Sequence, residues 1–388
     1  MCSIFGSIGK NYKNIEQNFS KALHHRGPDD KGIFYDNDQD IVLGHTRLSI
    51  IDLSSQAHQP MLADNFVLVF NGEIYNYQEI KKELQSNGFS FITDSDTEVV
   101  LKSYMHWKED CVKHFRGMFA FCIYDKQKKE LFLSRDRFGI KPLIYTFTED
   151  QFIFSSELKP FLKSNIIKKK LCLDSVGDYF TYGSVKQPKT ILEGLFHLLP
   201  GHSMTVTLNR DFKITRYYDY VLESQKLPKI ENYSEAIMIM REELERSTKY
   251  HMVSDVEVGA FLSGGVDSTA IVAMMKNFSK TQINTFSLGF KGKTSVDDET
   301  DVATRTAKYL DCNHHNIKID DNYVYSIFDD YIDSMDQPSI DGINTYIVSL
   351  ETAKETKVAL SGLGGDEIFA GYPHFKSIQK YSAKKKTL

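Results

Sequence analysis

Over roughly the first 220 residues the apolar positions fall in short alternating runs of strand length. Phe66-Val67-Leu68-Val69-Phe70, Met118-Phe119-Ala120-Phe121-Cys122-Ile123-Tyr124 and Leu131-Phe132-Leu133-Ser134-Arg135 are rich in aromatic and β-branched residues, and the polar stretch from Asp125 to Glu130 suits a hairpin. Helical spacing recurs at 14–24, 76–87 and 96–107, and Leu199-Pro200-Gly201-His202 punctuates before a last strand at 203–208. This half reads as layered α+β. From Asn232 the pattern changes to a helix at 234–250, a strand ending at Leu262, a helix at 267–279, a strand at 283–289, a helix at 298–310, a strand at 314–319, two further helices and a strand at 357–361. Alternation of this kind predicts an α/β, doubly wound parallel sheet. The polar stretch Leu222 to Glu231 marks the boundary, giving expected domains at 2–220 and 232–388 with a linker at 221–231.

Composition narrows the function classes. The 388 residues are 41% hydrophobic and 26% charged, an ordinary globular balance for two or three domains. The net charge of -5 argues against a general grip on nucleic acid or an anionic membrane. Cys2, Cys111, Cys122, Cys172 and Cys312 are too scattered for a disulfide scaffold, no CxxC pair suggests zinc, and no stretch approaches the length of a membrane span. A reducing, cytoplasmic setting is the expectation, with no leader or anchor at Met1-Cys2-Ser3. The lysine runs at 168–170 and 384–386 read as solvated surface.

In the second half, Leu262-Ser263-Gly264-Gly265-Val266-Asp267-Ser268 sits where a buried strand gives way to a helix. Glycines there let backbone N–H groups approach an anion, serines add hydroxyl donors, and the helix start contributes partial positive charge, so the turn is a candidate phosphate cradle. It lacks the GK[ST] ending of a Walker A loop. Ser361-Gly362-Leu363-Gly364-Gly365-Asp366 follows another apolar strand, so both turns are expected at the ligand-binding edge of the sheet. Asp267 and Asp366 could then face one Mg²⁺-bound pyrophosphate. A packing role for either turn is the bland alternative.

The first half offers a second chemistry. With Met1 removed, Cys2 would carry a thiol and a free α-amine whose pKa lies near 8, so one residue supplies nucleophile and base. The strings His24-His25-Arg26-Gly27-Pro28-Asp29, His45-Thr46-Arg47-Leu48-Ser49-Ile50, Asn71-Gly72-Glu73-Ile74-Tyr75-Asn76, Ser95-Asp96-Thr97-Glu98 and Arg135-Asp136-Arg137-Phe138-Gly139-Ile140-Lys141-Pro142-Leu143 follow in order. Together with SGGVDS and SGLGGDEIFAGYP, they resemble the glutamine-hydrolysing asparagine synthetase family.

That resemblance implies an N-terminal-nucleophile hydrolase sandwich followed by an ATP-pyrophosphatase domain. It implies an amidotransferase and ligase that takes ammonia from glutamine at Cys2, adenylates a carboxylate with ATP and Mg²⁺, and releases AMP and pyrophosphate. Asn71 and the Gly72 N–H would hold the oxyanion, Arg47 the substrate carboxylate, and Glu73 and Asp96 its ammonium. Leu262, Leu288, Ser361 and Gly362 would hold the nucleoside, with Ser263, Gly264, Gly265, Asp267 and Ser268 on the phosphates. Each has a plainer reading: Asn71-Gly72 as a turn, Arg47 as a surface ion pair, Asp96 within a capping segment, and His24 and His25 as loop supports.

Two departures bear on the acceptor. Members that make asparagine commonly carry glutamate where this chain has Leu363, and Asp336-Gln337-Pro338-Ser339-Ile340-Asp341-Gly342 shows no arginine where some clamp the substrate carboxylate. The expected partners are glutamine and a carboxylate acceptor, foremost the β-carboxyl of aspartate, with a surface-polysaccharide precursor as the alternative, no nucleic acid, no membrane, and room for a homodimer. Family members continue beyond the point where this chain ends, so a complete glutaminase half and an incomplete synthetase half are expected, with a glutaminase-only or non-catalytic homologue as the further alternative.

Overall fold

The computed structural model describes residues 1–10, 13–291 and 299–378; the lysine run at 384–386 lies outside them. Contacts divide the chain into two units, residues 1–229 with 333–341, and residues 230–332 with 342–388. The first carries strands β1 (Ser3–Gly9), β2 (Asp30–Asp36), β3 (Ile41–Arg47), β4 (Met61–Ala63), β5 (Phe66–Ile74), β6 (Gly117–Asp125), β7 (Glu130–Arg135), β8 (Ile144–Phe147), β9 (Gln151–Ser155), β10 (Phe196–His197), β11 (His202–Thr207) and β12 (Phe212–Arg216). They form two antiparallel sheets, ordered β10-β8-β9-β1-β3-β2 and β12-β11-β7-β6-β5-β4.

The sheets face each other across one core. Ile4 and Ile8 of β1 and Leu43 of β3 pack with Val67 and Val69 of β5, Cys122 and Tyr124 of β6, and Leu131 and Leu133 of β7. The alternate residues of β1 and β3, Phe5 and Val42, point the other way onto Ile15 and Phe19 of the helix Lys13–Ala22. Both faces of β1 are thus covered, which explains why its residues from Ser3 to Ile8 are buried throughout. On the far sheet the helix Asp96–Trp107 sets Tyr104 on Phe66 and Phe132. This is a helix-covered β-sandwich, as the resemblance implied.

The second unit carries β13 (Val258–Phe261), β14 (Asn284–Phe290), β15 (Asn313–Ile319) and β16 (Val358–Leu360), all parallel, in the order β15-β14-β13-β16. Helices Val266–Phe278 and Thr300–Tyr309 connect successive strands and bury Val272, Met275, Ala303 and Ala307 against Ala260 and Leu262. Parallel strands need such crossovers, so the helix-strand alternation is legible as soon as the sheet is parallel. The predicted start of the second crossover helix, residue 298, lies outside the described residues.

Two boundaries differ from the sequence reading. The stretch expected as a linker holds the helix Tyr220–Gln225, capped by Asp219, which accepts from the N–H groups of Val221 and Leu222. Residues 333–341, assigned by sequence to the second domain, group with the first unit. There Asp336 Oδ1 accepts from Leu158 N at 2.6 Å and Lys159 N at 3.3 Å, Gln337 accepts from Ile191 N, and Ser339 bridges Ser184. Asp336 caps the helix Lys159–Lys163, whose first N–H groups have no other partner in the helix.

Candidate functional site

The first residues of β1, the end of β3, the end of β5 and the start of the helix Asp96–Trp107 meet at one end of the sandwich. They enclose a cavity lined by Cys2, Arg47, Asn71, Gly72, Glu73, Asp96 and Lys141, among others. All six glutamine-site residues expected from sequence therefore share one cavity, and its lining includes no histidine.

The thiol is fixed by the loop that leaves β3. Leu48 N–H donates to Cys2 Sγ at 3.3 Å, and Sγ donates to Leu48 O at 3.5 Å. Burial pushes the Cys2 thiol pKa up, opposed by the Leu48 N–H and by the charges of the amino terminus, Lys141 and Arg47. A raised thiol needs a local base to become a thiolate. Burial is also the main reason that the amino terminus, now on Met1, is held down at about 6.

Asn71-Gly72 is no turn. The pair lies on β5, opposite Ala120 and Phe119 of β6. Phe119 exchanges backbone and side-chain hydrogen bonds with Asp136 on its other side, at 2.8 and 3.1 Å, so its N–H and C=O point away from β5. Gly72 opposite Phe119 is then a non-hydrogen-bonded pair, and the Phe70, Gly72 and Ile74 N–H groups all point to the other edge of β5. There β4 covers only Phe66 to Leu68. The Phe70 N–H donates to Gln59 Oε1 at 2.7 Å and the Ile74 N–H to Asp96 Oδ2 at 2.9 Å. Between them Gly72 lines the cavity. Asn71 is 1% exposed, and its Nδ2 has no hydrogen-bond partner among the described residues. A Cβ on Gly72 would lie 2.3 Å from Met118 O, so glycine is what lets β5 and β6 close up here.

Arg47 is 6% exposed, so it is no surface side chain, and among the described residues no ion pair holds it. Its Nη1 donates to Ser54 O at 3.0 Å and its Nη2 to Asp52 O, which fixes the plane of the guanidinium at the cavity wall. Asp96 is buried, and the helix is capped instead by Ser95, whose hydroxyl accepts from Thr97 N–H at 3.1 Å. Burial pushes the Asp96 carboxyl up to about 7, and the neighbouring Glu73 pushes the same way. The Glu73 carboxyl is also raised by burial, with Lys141 opposing. Two carboxyls held up by burial in one cavity suit a cationic ligand group.

Three further residues had no role in the sequence reading. Arg26 Nε donates to Cys2 O at 2.9 Å and its Nη1 to Glu157 Oε1 at 2.7 Å, while His25 Nε2 lies 3.2 Å from the same carboxylate. His25 thus supports the loop, as expected, through Glu157, which no local pattern singles out. Lys141 lies in the stretch 135–143, yet only the fold reveals that it lines the cavity.

In the second unit the loop after β13 packs against the loop after β16. A Cβ on Gly362 would meet Ser268 N at 2.8 Å, and one on Gly365 would meet Asp267 Oδ2 at 2.3 Å. Ser263 Oγ and Ser268 Oγ are 2.9 Å apart, and Gly265 N–H donates to Ser263 Oγ at 3.1 Å. Gly264 N–H donates to Glu299 Oε2 at 3.2 Å, so a carboxylate already meets the loop where an anion was expected. Leu262, Ser263 and Leu288 line one cavity with Glu299 and Thr300. Asp267, Ser361, Gly362 and Leu363 line another. Asp366 lines neither, and its Oδ1 lies against Gly371, where an added Cβ would meet it at 1.9 Å. Asp267 lies against Gly365, the residue before Asp366, and the two acids remain the candidates for one Mg²⁺.

Residues 1–218 match the family model described as glutamine amidotransferase domain, and residues 240–388 the one described as asparagine synthase. A putative glutamine-hydrolysing asparagine synthetase of Methanocaldococcus jannaschii is 40% identical over 96% of this chain and 76% of its own length. The chain belongs to the glutamine-hydrolysing asparagine synthetase family. An asparagine synthetase of Bacillus subtilis is 35% identical over 96% of this chain, and a protein named amidase chry2 of Gibberella zeae 30% over 92%. The chain spans 59% and 55% of those two relatives' lengths. Among the described residues no helix is long and apolar enough to cross a membrane.

Proposed function

We propose that the first unit hydrolyses glutamine and that the second adenylates a carboxylate, most simply the β-carboxyl of aspartate, which the released ammonia converts to an amide. The observation that carries this reading is the buried Asn71 Nδ2, without a hydrogen-bond partner among the described residues, beside Gly72 in the cavity that Cys2 lines. A buried donor left without a protein acceptor in the cavity wall is what a developing oxyanion requires.

The reaction balances on these groups. After Met1 is removed, the Cys2 α-amine takes the thiol proton and Sγ bonds to the amide carbon of glutamine, whose oxygen becomes the oxyanion held by Asn71 and Gly72. Collapse breaks the C–N bond, and the α-ammonium returns the proton so that ammonia leaves. Water then cleaves the thioester to glutamate and frees the thiol. Arg47 holds the glutamine α-carboxylate, and Glu73 with Asp96 its ammonium. In the second unit ATP and Mg²⁺ supply the activating phosphates, with Asp267 and the loop 263–268 as the candidate anchors.

Glutamine labelled with ¹⁵N in its amide, supplied with ATP, Mg²⁺ and aspartate, tests the whole. Label in asparagine together with stoichiometric AMP supports it. Label only in free ammonia overturns the aspartate acceptor, and label left in glutamine overturns the glutaminase.

The acid pair gives a sign for the pH dependence. An ammonium between Glu73 and Asp96 favours their ionised forms, so glutamine binding expels the proton that Asp96 holds up to about pH 7. The glutamine KM is expected to rise as pH falls below 7, by up to about tenfold per unit. Asp96→Asn should flatten that slope and raise KM at pH 8 by roughly 10- to 100-fold, the worth of a charged hydrogen bond. Initial rates between pH 5.5 and 8.5 check both.

A further inference from the structure

Lys141 is 4% exposed, and its backbone N–H is held by Asp136 Oδ2 at 2.9 Å. Its ammonium donates to the thioether sulfur of Met1 at 3.2 Å, a weak acceptor. The charged groups that face it are Glu73, Arg26, Cys2 and Asp136, and no carboxylate among the described residues lies within ion-pair distance. A buried cation without a carboxylate in contact is costly and calls for a use. The amino terminus is faced in turn by Cys2, Arg26, Lys141 and Glu73. Arg26 is tied to Glu157, so its charge is largely met there. Lys141 is the cation beside the terminus with no such tie.

We propose that Lys141 is a positioning residue for glutamine hydrolysis: once Met1 is gone, its fixed charge beside the new terminus keeps the Cys2 α-amine in the free-base form that accepts the thiol proton. The proposal rests on Cys2 as nucleophile. Loss of Met1 takes away the sulfur that now receives the ammonium and leaves that charge in the cavity with the α-amine. Like charges in one cavity disfavour protonation of the amine, and the same cation favours the thiolate, so one group assists both ends of the proton transfer. Glu73 opposes it, which is why the effect is largest when substrate ammonium occupies Glu73. The present terminus already sits low, chiefly through burial and then through Arg26 and Lys141.

The test is the pH profile of kcat at saturating glutamine, where the substrate ammonium holds Glu73 and Asp96 ionised, on protein whose mass shows Met1 removed, for wild type, Lys141→Met and Lys141→Arg. In Lys141→Met the acid limb should move up by about half a unit to one unit, and Lys141→Arg should keep the wild-type limb. Should the methionine variant not fold, Lys141→Gln carries the same expectation. An active wild type with an unmoved limb in the neutral variant, or an equal shift in Lys141→Arg, overturns the role of Lys141 alone. A uniform loss at every pH marks a packing role and overturns it too. Mature wild type that hydrolyses no glutamine overturns the parent reading, and this proposal with it.

Discussion

Cys2→Ala is expected to lower glutamine hydrolysis by roughly four to six orders of magnitude, the scale seen when a covalent nucleophile is removed. The thiol has nothing to share its work with: the cavity lining holds no histidine and no second thiol. Its two contacts with Leu48 set the rotamer from which it attacks, and alanine removes both along with the sulfur. Glutamine affinity should change little, because Arg47, Glu73 and Asp96 are untouched. Binding of glutamine to the variant by calorimetry, beside glutamate release by a coupled assay, separates the two effects. A Cys2→Ala protein that still releases glutamate within tenfold of wild type would place the chemistry elsewhere.

Retention of Met1 should resemble that variant in rate while keeping the thiol. With Met1 in place the nitrogen of Cys2 is an amide, which cannot accept a proton, and burial holds the thiol in its neutral form. The position of this one peptide bond therefore decides whether the same side chain is a nucleophile or a buried thiol.

How much of this was legible in the sequence depends on the range over which each feature is encoded. The strands Phe66–Phe70 and Met118–Tyr124 announce themselves by composition, but β5 runs on to Ile74 because β6 pairs with it through Gly117. That extension turned Asn71-Gly72 from a turn motif into strand residues whose donors face sideways. Asp96 and Ser95 show the same lesson at a helix start: the capping pattern is real, yet Ser95 does the capping and frees Asp96 to meet Ile74. Glu98, at the far end of that segment, accepts from Ile92 and Thr93.

The features that stayed hidden are contacts between distant segments. Glu157 reaches Arg26 across 131 positions, Asp336 reaches Leu158 across 178, and neither stands in a local pattern. Glu299 meets Gly264 only because the helix after β14 packs beside the loop after β13. Pattern and spacing fix which residue types stand at a strand end; only tertiary packing says which charge is brought against which.

The second large effect is expected at Asn71. Asn71→Ala should lower kcat by about 10² to 10³-fold, or about 2.7–4 kcal/mol of transition-state stabilisation, with the glutamine KM close to wild type. The asymmetry follows from where the charge appears: a ground-state amide oxygen is neutral, and the Nδ2 donor gains its strongest interaction only as that oxygen becomes an anion. Stability should move the opposite way from activity. Nδ2 is buried without a partner in the free protein, a condition that costs about 1–3 kcal/mol, so truncation relieves desolvation while leaving a hole no larger than an amide. The melting temperature of Asn71→Ala should be no lower than that of wild type. A variant that melts early and loses activity in proportion would show that Asn71 holds β5 in place, whereas a slow enzyme that melts as late as its parent, or later, identifies the side chain as a donor kept unpaired for the transition state.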